Sequence, residues 1–211
     1  MPKILITAGG TSEKIDDVRV ITNVSTGRLG AFIADEFAGR HKAGVVFLCG
    51  QNSVLPKNKN IQIIKITSAA DLQKDLARLL KTDNFDAVIH AMAVSDYSPV
   101  KYKGKISSDK ETLSIVFKKT PKIIKMIKKL SPGSLLVGFK LLSNVTEKEL
   151  IKNAVKVLKE NKCAFVFAND LKNIAGERHI GFLIDNAGNL QRSGTKKEAA
   201  RLITKNVMVN I

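Results

Sequence analysis

Short apolar runs recur along the chain, separated by amphipathic stretches. The runs at 3–8 (KILITA), 44–48 (GVVFL), 61–66 (IQIIKI), 86–91 (DAVIHA), 134–139 (SLLVGF) and 163–168 (CAFVFA) are rich in β-branched residues. Near-continuous apolarity over five or six positions fits strands buried on both faces, as in a parallel sheet. Between them, apolar positions recur at helical spacing over 27–40, 68–81, 120–130 and 146–160. In the third of these, Ile123, Ile127 and Leu130 share one face while Lys122, Lys125, Lys128 and Lys129 take the others. Ser68 followed by Asp71 reads as a capping box, and Thr120 before Pro121 as an N-cap with proline in the first helical position.

Strands alternating with helices imply βαβ units with right-handed crossovers. The fold class expected is therefore α/β, a Rossmann-like three-layer α/β/α sandwich with a mainly parallel sheet. The tail breaks the alternation: 179–194 (HIGFLIDNAGNLQRSG) reads as a hairpin turning at 186–189, followed by a last helix from about Thr195. Ligands in such sheets bind at the carboxyl ends of the strands, so the segments leaving those ends are where chemistry is sought.

The length of 211 residues suits one substantial core, and a single domain over 1–211 is expected. No apolar run approaches the ~20 residues that span a bilayer. The start reads as a first strand rather than a signal peptide, so a soluble, cytoplasmic protein without a membrane partner is expected. Cys49 and Cys163 each lie within an apolar run and read as buried free thiols. The net charge of +16 raises a nucleic-acid reading. With no Trp and only two Tyr, however, exposed aromatics to stack on bases are scarce, and attraction to phosphorylated small molecules is the preferred account.

Three segments concentrate candidate chemistry. "TAGGTSEKID" follows the first strand, where Gly9 and Gly10 let the backbone approach a ligand and Thr11 adds a hydroxyl. It lacks the third glycine of the dinucleotide fingerprint. A long loop, "DDVRVITNVSTGRLG", precedes the first helix; long loops in compact domains tend to be functional. There Asn23, Ser25, Thr26 and Gly27 form a polar patch at a helix start, and Arg19 adds a cation. "AMAVSDYSPVKYKGKISSDK", 91–110, ends the fourth strand and becomes a lysine-rich loop, with Lys101, Lys103 and Lys105 at alternate positions. A catalytic flap and a solvated basic loop would both look like this.

Taken together and in order, "TAGGT", "DDVRVITNVSTGRLG", "AMAVSDY", "KGKISS", "LVGFK" and "FAND" resemble the phosphopantothenate-cysteine ligases of coenzyme A biosynthesis, over nearly the whole chain. The resemblance implies a two-step reaction. The carboxylate of 4'-phosphopantothenate attacks the α-phosphate of CTP or ATP, releasing pyrophosphate; the amine of cysteine then displaces the nucleotide monophosphate to form an amide. It implies Asn23 and Lys105 as catalytic residues, Asn23 at the acyl intermediate and Lys105 on a flap over the phosphates. It implies Arg19, Ser25, Thr26, Gly27, Ala91 and Ala93 on the substrate side. Gly9, Gly10, Thr11, Asp96, Pro121, Ile123, Ile124 and Phe139 are expected at the nucleotide, the last four around base and ribose.

Mg²⁺ is expected with the triphosphate; no metal ligand is assigned, Asp96 being the one candidate contributor. No flavin is expected, because the decarboxylase that precedes this unit in two-domain relatives has no room in 211 residues. A homodimer is expected, with Arg19 reaching across its interface. "KIS" in place of K-x-K-K, and "GFKLL" in place of GFAAE, resemble the free-standing forms, among which CTP and ATP preferences differ. Two other readings stand beside this one: an NAD(P)-dependent Rossmann oxidoreductase and a basic nucleic-acid-binding protein. The three histidines, His41, His90 and His179, read as structural or exposed rather than as general bases.

Overall fold

The structure is a computed structural model that describes residues 1–109 and 111–211; Lys110, the last residue of the lysine-rich stretch, lies outside them. Its centre is an eight-stranded sheet. In chain order the strands of that sheet are β1 (Lys3–Ala8), β4 (Gly44–Gly50), β5 (Gln62–Ile66), β6 (Ala87–His90), β9 (Leu135–Leu142), β10 (Phe165–Ala175), β11 (Arg178–Asp185) and β12 (Leu190–Thr195). Two small hairpins stand outside it: β2 (Ser12–Lys14) with β3 (Val20–Thr22), and β7 (Tyr97–Pro99) with β8 (Phe117–Lys119). The helices are α1 (Arg28–Gly39), α2 (Ala69–Thr82), α3 (Ile123–Leu130), α4 (Glu147–Glu160) and α5 (Lys196–Val209).

The sheet order is β12-β11-β10-β9-β6-β1-β4-β5. All pairs from β5 through β10 are parallel, and β11 and β12 are antiparallel. The α/β sandwich with a mainly parallel sheet is therefore as expected. Alternation sorts side chains to its two faces. Ile4 and Ile6, with Phe47 and Phe167, pack under Ile33 and Phe37 of α1 and Ile203 and Val207 of α5. Leu5, Leu48 and Val88 pack on the other face against Leu72 and Leu76 of α2, Ile127 of α3 and Leu150 and Leu158 of α4. Cys49 and Cys163 are buried free thiols, as expected, and burial pushes the Cys163 thiol up to about 12.

The chain winds outward from β1 to β4 in one direction, and from β6 to β9 and β10 in the other. The switch point lies between β1 and β6, where the carboxyl ends open a crevice. Two segments leave that edge, one from each strand.

Several local expectations change. The long first loop contains the β2–β3 hairpin, whose three-residue strands are too short to register as periodicity. Helix α3 starts at Ile123 with Lys122 as its N-cap and no side-chain cap. Thr120 is not that cap, and Pro121 is not its first residue; the Thr120 hydroxyl instead donates to the Ser95 carbonyl at 2.6 Å. The C-terminal hairpin grows into a meander, because β10 continues through polar residues to Ala175 and pairs with β11 as well. The Ser68–Asp71 capping box is present in full, and Thr195 caps α5.

Candidate active site

The floor of the crevice is made where the first strand's glycine turn meets the end of the fourth predicted strand. Beyond the last ladder pair, the Ala91 and Ala93 amides donate to the Thr7 and Gly9 carbonyls at 2.9 and 2.8 Å, and Gly10 bridges Ala93. The Thr11 amide returns a bond to the Ala93 carbonyl at 3.2 Å. Thr11 itself is fully buried, and its hydroxyl is shared with Ser95: it accepts from the Ser95 amide at 3.0 Å and donates to the Ser95 Oγ at 3.2 Å. Thr11 thus fastens the two turns from beneath, where its hydroxyl is turned away from solvent.

The second layer is the polar loop before α1. Gly27, at φ 70°, is the N-cap of α1, and a Cβ there would meet the Gly9 nitrogen at 3.1 Å. A Cβ on Gly10 would meet the Asn23 carbonyl oxygen at 2.7 Å. Glycine is required at both places because two backbones touch. The Asn23 side chain is exposed at this junction and donates through Nδ2 to the Ala93 carbonyl at 3.2 Å, leaving its carbonyl and one N–H for a ligand. Ser25 and Thr26 flank it, and Thr26 Oγ1 accepts from the Arg28 amide at 3.4 Å. The structure therefore brings Gly9, Gly10, Asn23, Ser25, Thr26, Gly27, Ala91 and Ala93 to one place.

Asp96 sits at the rim, exposed, with its carboxylate 2.5 Å from the Lys122 ammonium. Pro121 is exposed beside it. The remaining base-pocket expectations divide between the faces of the sheet. Ile123 is buried in the core, and Ile124 packs toward Gly138 on the α2–α4 side. Phe139 points the other way, against Phe167 at 5.7 Å between ring centroids, on the α1–α5 side. Neighbouring strand residues face opposite sides, so Phe139 and Ile124 do not form one wall.

The lysine-rich stretch leaves the rim as a flap whose base is the β7–β8 hairpin, and it folds back against the β2–β3 arm. Asp17 pairs with the Lys101 ammonium at 2.8 Å and exchanges two bonds with the Gly104 backbone, at 3.0 and 3.2 Å. Asp16 accepts from the Ile106 amide at 3.1 Å. Arg19 pairs with Asp16 at 2.6 Å and also donates to the Ile106 carbonyl at 3.2 Å. Lys105 is exposed between these two pinned residues. Lys101 is not merely solvated charge, nor is Arg19 a free cation; each has a carboxylate partner.

Sequence reasoning overlooked Glu13, Asp16 and Asp17. Glu13 is buried and accepts from the first amide of α2, Ala69, at 2.8 Å, so it ties the arm to the sandwich. Burial alone pushes the Asp16 carboxyl up. The amides of Ile106, Arg19 and Val18 and the Arg19 guanidinium outweigh it and hold the group well below the usual carboxylate range. The available signal was the Asp-Asp pair followed by an arginine in a turn-forming loop, which can close an Asx turn but says nothing of a partner near position 106.

Two buried histidines stay neutral. His90 lies at the end of β6 with Nδ1 2.8 Å from the Thr7 hydroxyl, and burial pulls its pKa down to about 4. His179, stacked on Phe167, is likewise pulled down to about 4, by burial and then by the positive charge of Lys196. Among the described residues no group of three or more His, Cys, Asp or Glu gathers as a metal site.

Residues 1–210 match the model of the DNA/pantothenate metabolism flavoprotein C-terminal domain. The protein belongs to this family. It is 32% identical over 97% of its length to the coenzyme A biosynthesis bifunctional protein CoaBC of Methanocaldococcus jannaschii, covering 50% of that protein. It is 36% identical over 95% of its length to the CoaBC of Thermococcus kodakarensis, covering 49%. The chain thus spans about half the length of these curated relatives. Among solved structures, a DNA/pantothenate metabolism flavoprotein from Streptococcus pneumoniae superposes with a TM-score of 0.92 at 35% identity, each chain covered in full. The crystal structure of the C-terminal domain of a coenzyme A biosynthesis bifunctional protein CoaBC superposes with a TM-score of 0.79 at 31% identity, covering 99% of this chain and 94% of that one. No helix among the described residues is long and apolar enough to cross a membrane.

Proposed function

We propose that this domain joins 4'-phosphopantothenate to cysteine, driven by CTP or ATP through an acyl nucleotidylate. The observation that carries the reading is the meeting of Asn23 with the Gly9–Gly10 turn and Ala93 at the carboxyl edge of β1 and β6, next to the arm against which the Lys105 segment folds. Activating a carboxylate brings two anions together, so the reacting centre needs cations and neutral donors. Asn23 supplies a neutral amide N–H to the acyl intermediate. The α1 N-terminus, where the Arg28 amide meets the Thr26 hydroxyl and the N-cap Gly27 has no side chain, offers its remaining backbone N–H groups to phosphate oxygens, with Ser25 beside it. Lys105 screens the triphosphate and Arg19 the pantothenate phosphate. The flap excludes water that would hydrolyse the nucleotidylate. Asp96 and Pro121 line the rim toward the nucleotide, and no step is routed through a protein-bound metal.

The working unit we propose is a homodimer. Val18, Val20, Ile21 and Val24 of the arm are exposed apolar side chains, and a second copy of the chain would cover them. A monomer in sedimentation velocity at micromolar concentration would remove this element.

The deciding assay follows pyrophosphate release with phosphopantothenate and cysteine, CTP and ATP side by side. Cysteine-dependent turnover with either nucleotide is expected, and none with both would sink the reading. Asn23→Asp is expected to abolish amide formation while pyrophosphate is still released in a single turnover; unchanged turnover would remove Asn23 from the mechanism.

A further inference from the structure

The Asp16 side chain has no exposure to solvent, yet it lies on an arm whose two strands are three residues long and whose β3 is exposed throughout. Its two oxygens divide their work. Oδ1 accepts from the amides of Val18 and Arg19 at 2.8 and 2.6 Å, closing the turn of the arm on itself. Oδ2 accepts from the Arg19 guanidinium at 2.6 Å and from the Ile106 amide at 3.1 Å, a residue 90 positions away. One atom therefore holds the arginine expected at the substrate and the peptide next to the lysine expected at the phosphates. On the other side of that lysine, Asp17 holds Gly104.

We infer that Asp16 is a positioning residue for the ligase reaction, fixing Arg19 and Lys105 relative to one another through a single carboxylate oxygen. The inference rests on the proposed ligase reading. It assigns Asp16 no contact with substrate. Its role is geometric: two cations on separate segments must face two anionic groups of the reacting pair at once, and misplacement by ~1 Å can cost about 100-fold in rate.

The division of labour makes the test clean. In Asp16→Asn the oxygen that closes the turn can be kept, while an NH₂ replaces Oδ2 and confronts two donors. The bridge breaks and the local turn survives. Three effects are expected in Asp16→Asn. The kcat falls 10- to 100-fold, and more than one pyrophosphate is released per amide formed as the loosened flap admits water. The amide of Ile106 also exchanges hydrogen faster. Ile106→Pro, which removes the same donor from the flap side, is expected to match the fall in kcat and the excess pyrophosphate, and the double variant to lose little more than either alone. A merely structural role would lower folded fraction while leaving one pyrophosphate per amide. Wild-type kcat and stoichiometry in both variants, or additive losses in the double variant, would overturn the inference. If the wild type itself releases no pyrophosphate, the ligase reading fails. The Ile106 exchange rate still reads the Asp16 link by itself, and unchanged protection in Asp16→Asn would dismiss it.

Discussion

Leu5, Phe47 and Ile89 of the central sheet lose all contact with solvent, whereas every residue of β3 and β8 remains exposed. The sandwich is held by apolar burial on two faces. The arm and flap are held by three carboxylates, Glu13, Asp16 and Asp17, bonded to backbone amides and two cations. Burial is non-directional and cooperative; hydrogen bonds are local and can be broken one at a time. A sandwich built by burial, with an arm and loop latched separately beside its crevice, suits the proposed ligase reaction, which would have to admit its substrates and then exclude water.

Perturbing the two regions should separate stability from turnover. The largest effect on folding is expected from Phe47→Ala, which empties a site between β4 and α1 and should cost about 3–5 kcal/mol in urea or thermal unfolding. Its specific activity per folded molecule should persist, and selective loss of activity at intact stability would break the comparison. Lys105→Gln is expected to do the reverse: turnover down about 100-fold, with stability within about 0.5 kcal/mol of wild type. Lys101→Gln breaks only an exposed pair with Asp17 and should cost about 0–1 kcal/mol with at most a few-fold effect on rate.

Between these lies a pH effect confined to the sandwich. His90 and His179 bind protons less readily folded than unfolded, with folded values of about 4. From about pH 6.5 downward the unfolded chain therefore takes up more protons, and stability falls as acid is added. Each ring should cost about 1.4 kcal/mol one pH unit below its unfolded value, and the loss should level off only near the folded value. The depressed carboxyls, Asp16 and Asp17 among them, add their own loss only at lower pH. Melting midpoints between pH 7 and 5 read the histidines, and His90→Asn should flatten that slope; an unchanged slope would show that His90 does not set it.

What was legible in the chain follows the same divide. Strands and helices of the sandwich announce themselves because burial imposes a period on residue type. The polar stretch 169–173 hid the extension of β10, since a strand paired near an edge needs no apolar face there. Thr120 and Pro121 look like a helix start, but the Ser95 carbonyl claims the threonine hydroxyl and the helix begins three residues later. The meeting of the TAGGT turn with the AMAVSD segment could be foreseen from the switch-point rule. The partnership of Asp16 with Ile106 could not, because no local pattern encodes a contact between two irregular segments. Phe139 and Ile124, both expected around base and ribose, lie toward opposite faces of the sheet, which local signals do not reveal because a side chain's face depends on register.

The contact between Gly10 and the Asn23 carbonyl ties two motifs that are read separately in the sequence into one mechanical part. A methyl group at position 10 would not simply narrow the crevice; it would push on the loop that carries Asn23. For anyone reshaping the crevice by mutagenesis, the glycine turn is therefore a poor place to vary alone. The two segments would have to be exchanged as a block, with the Ala93 carbonyl that both of them grip.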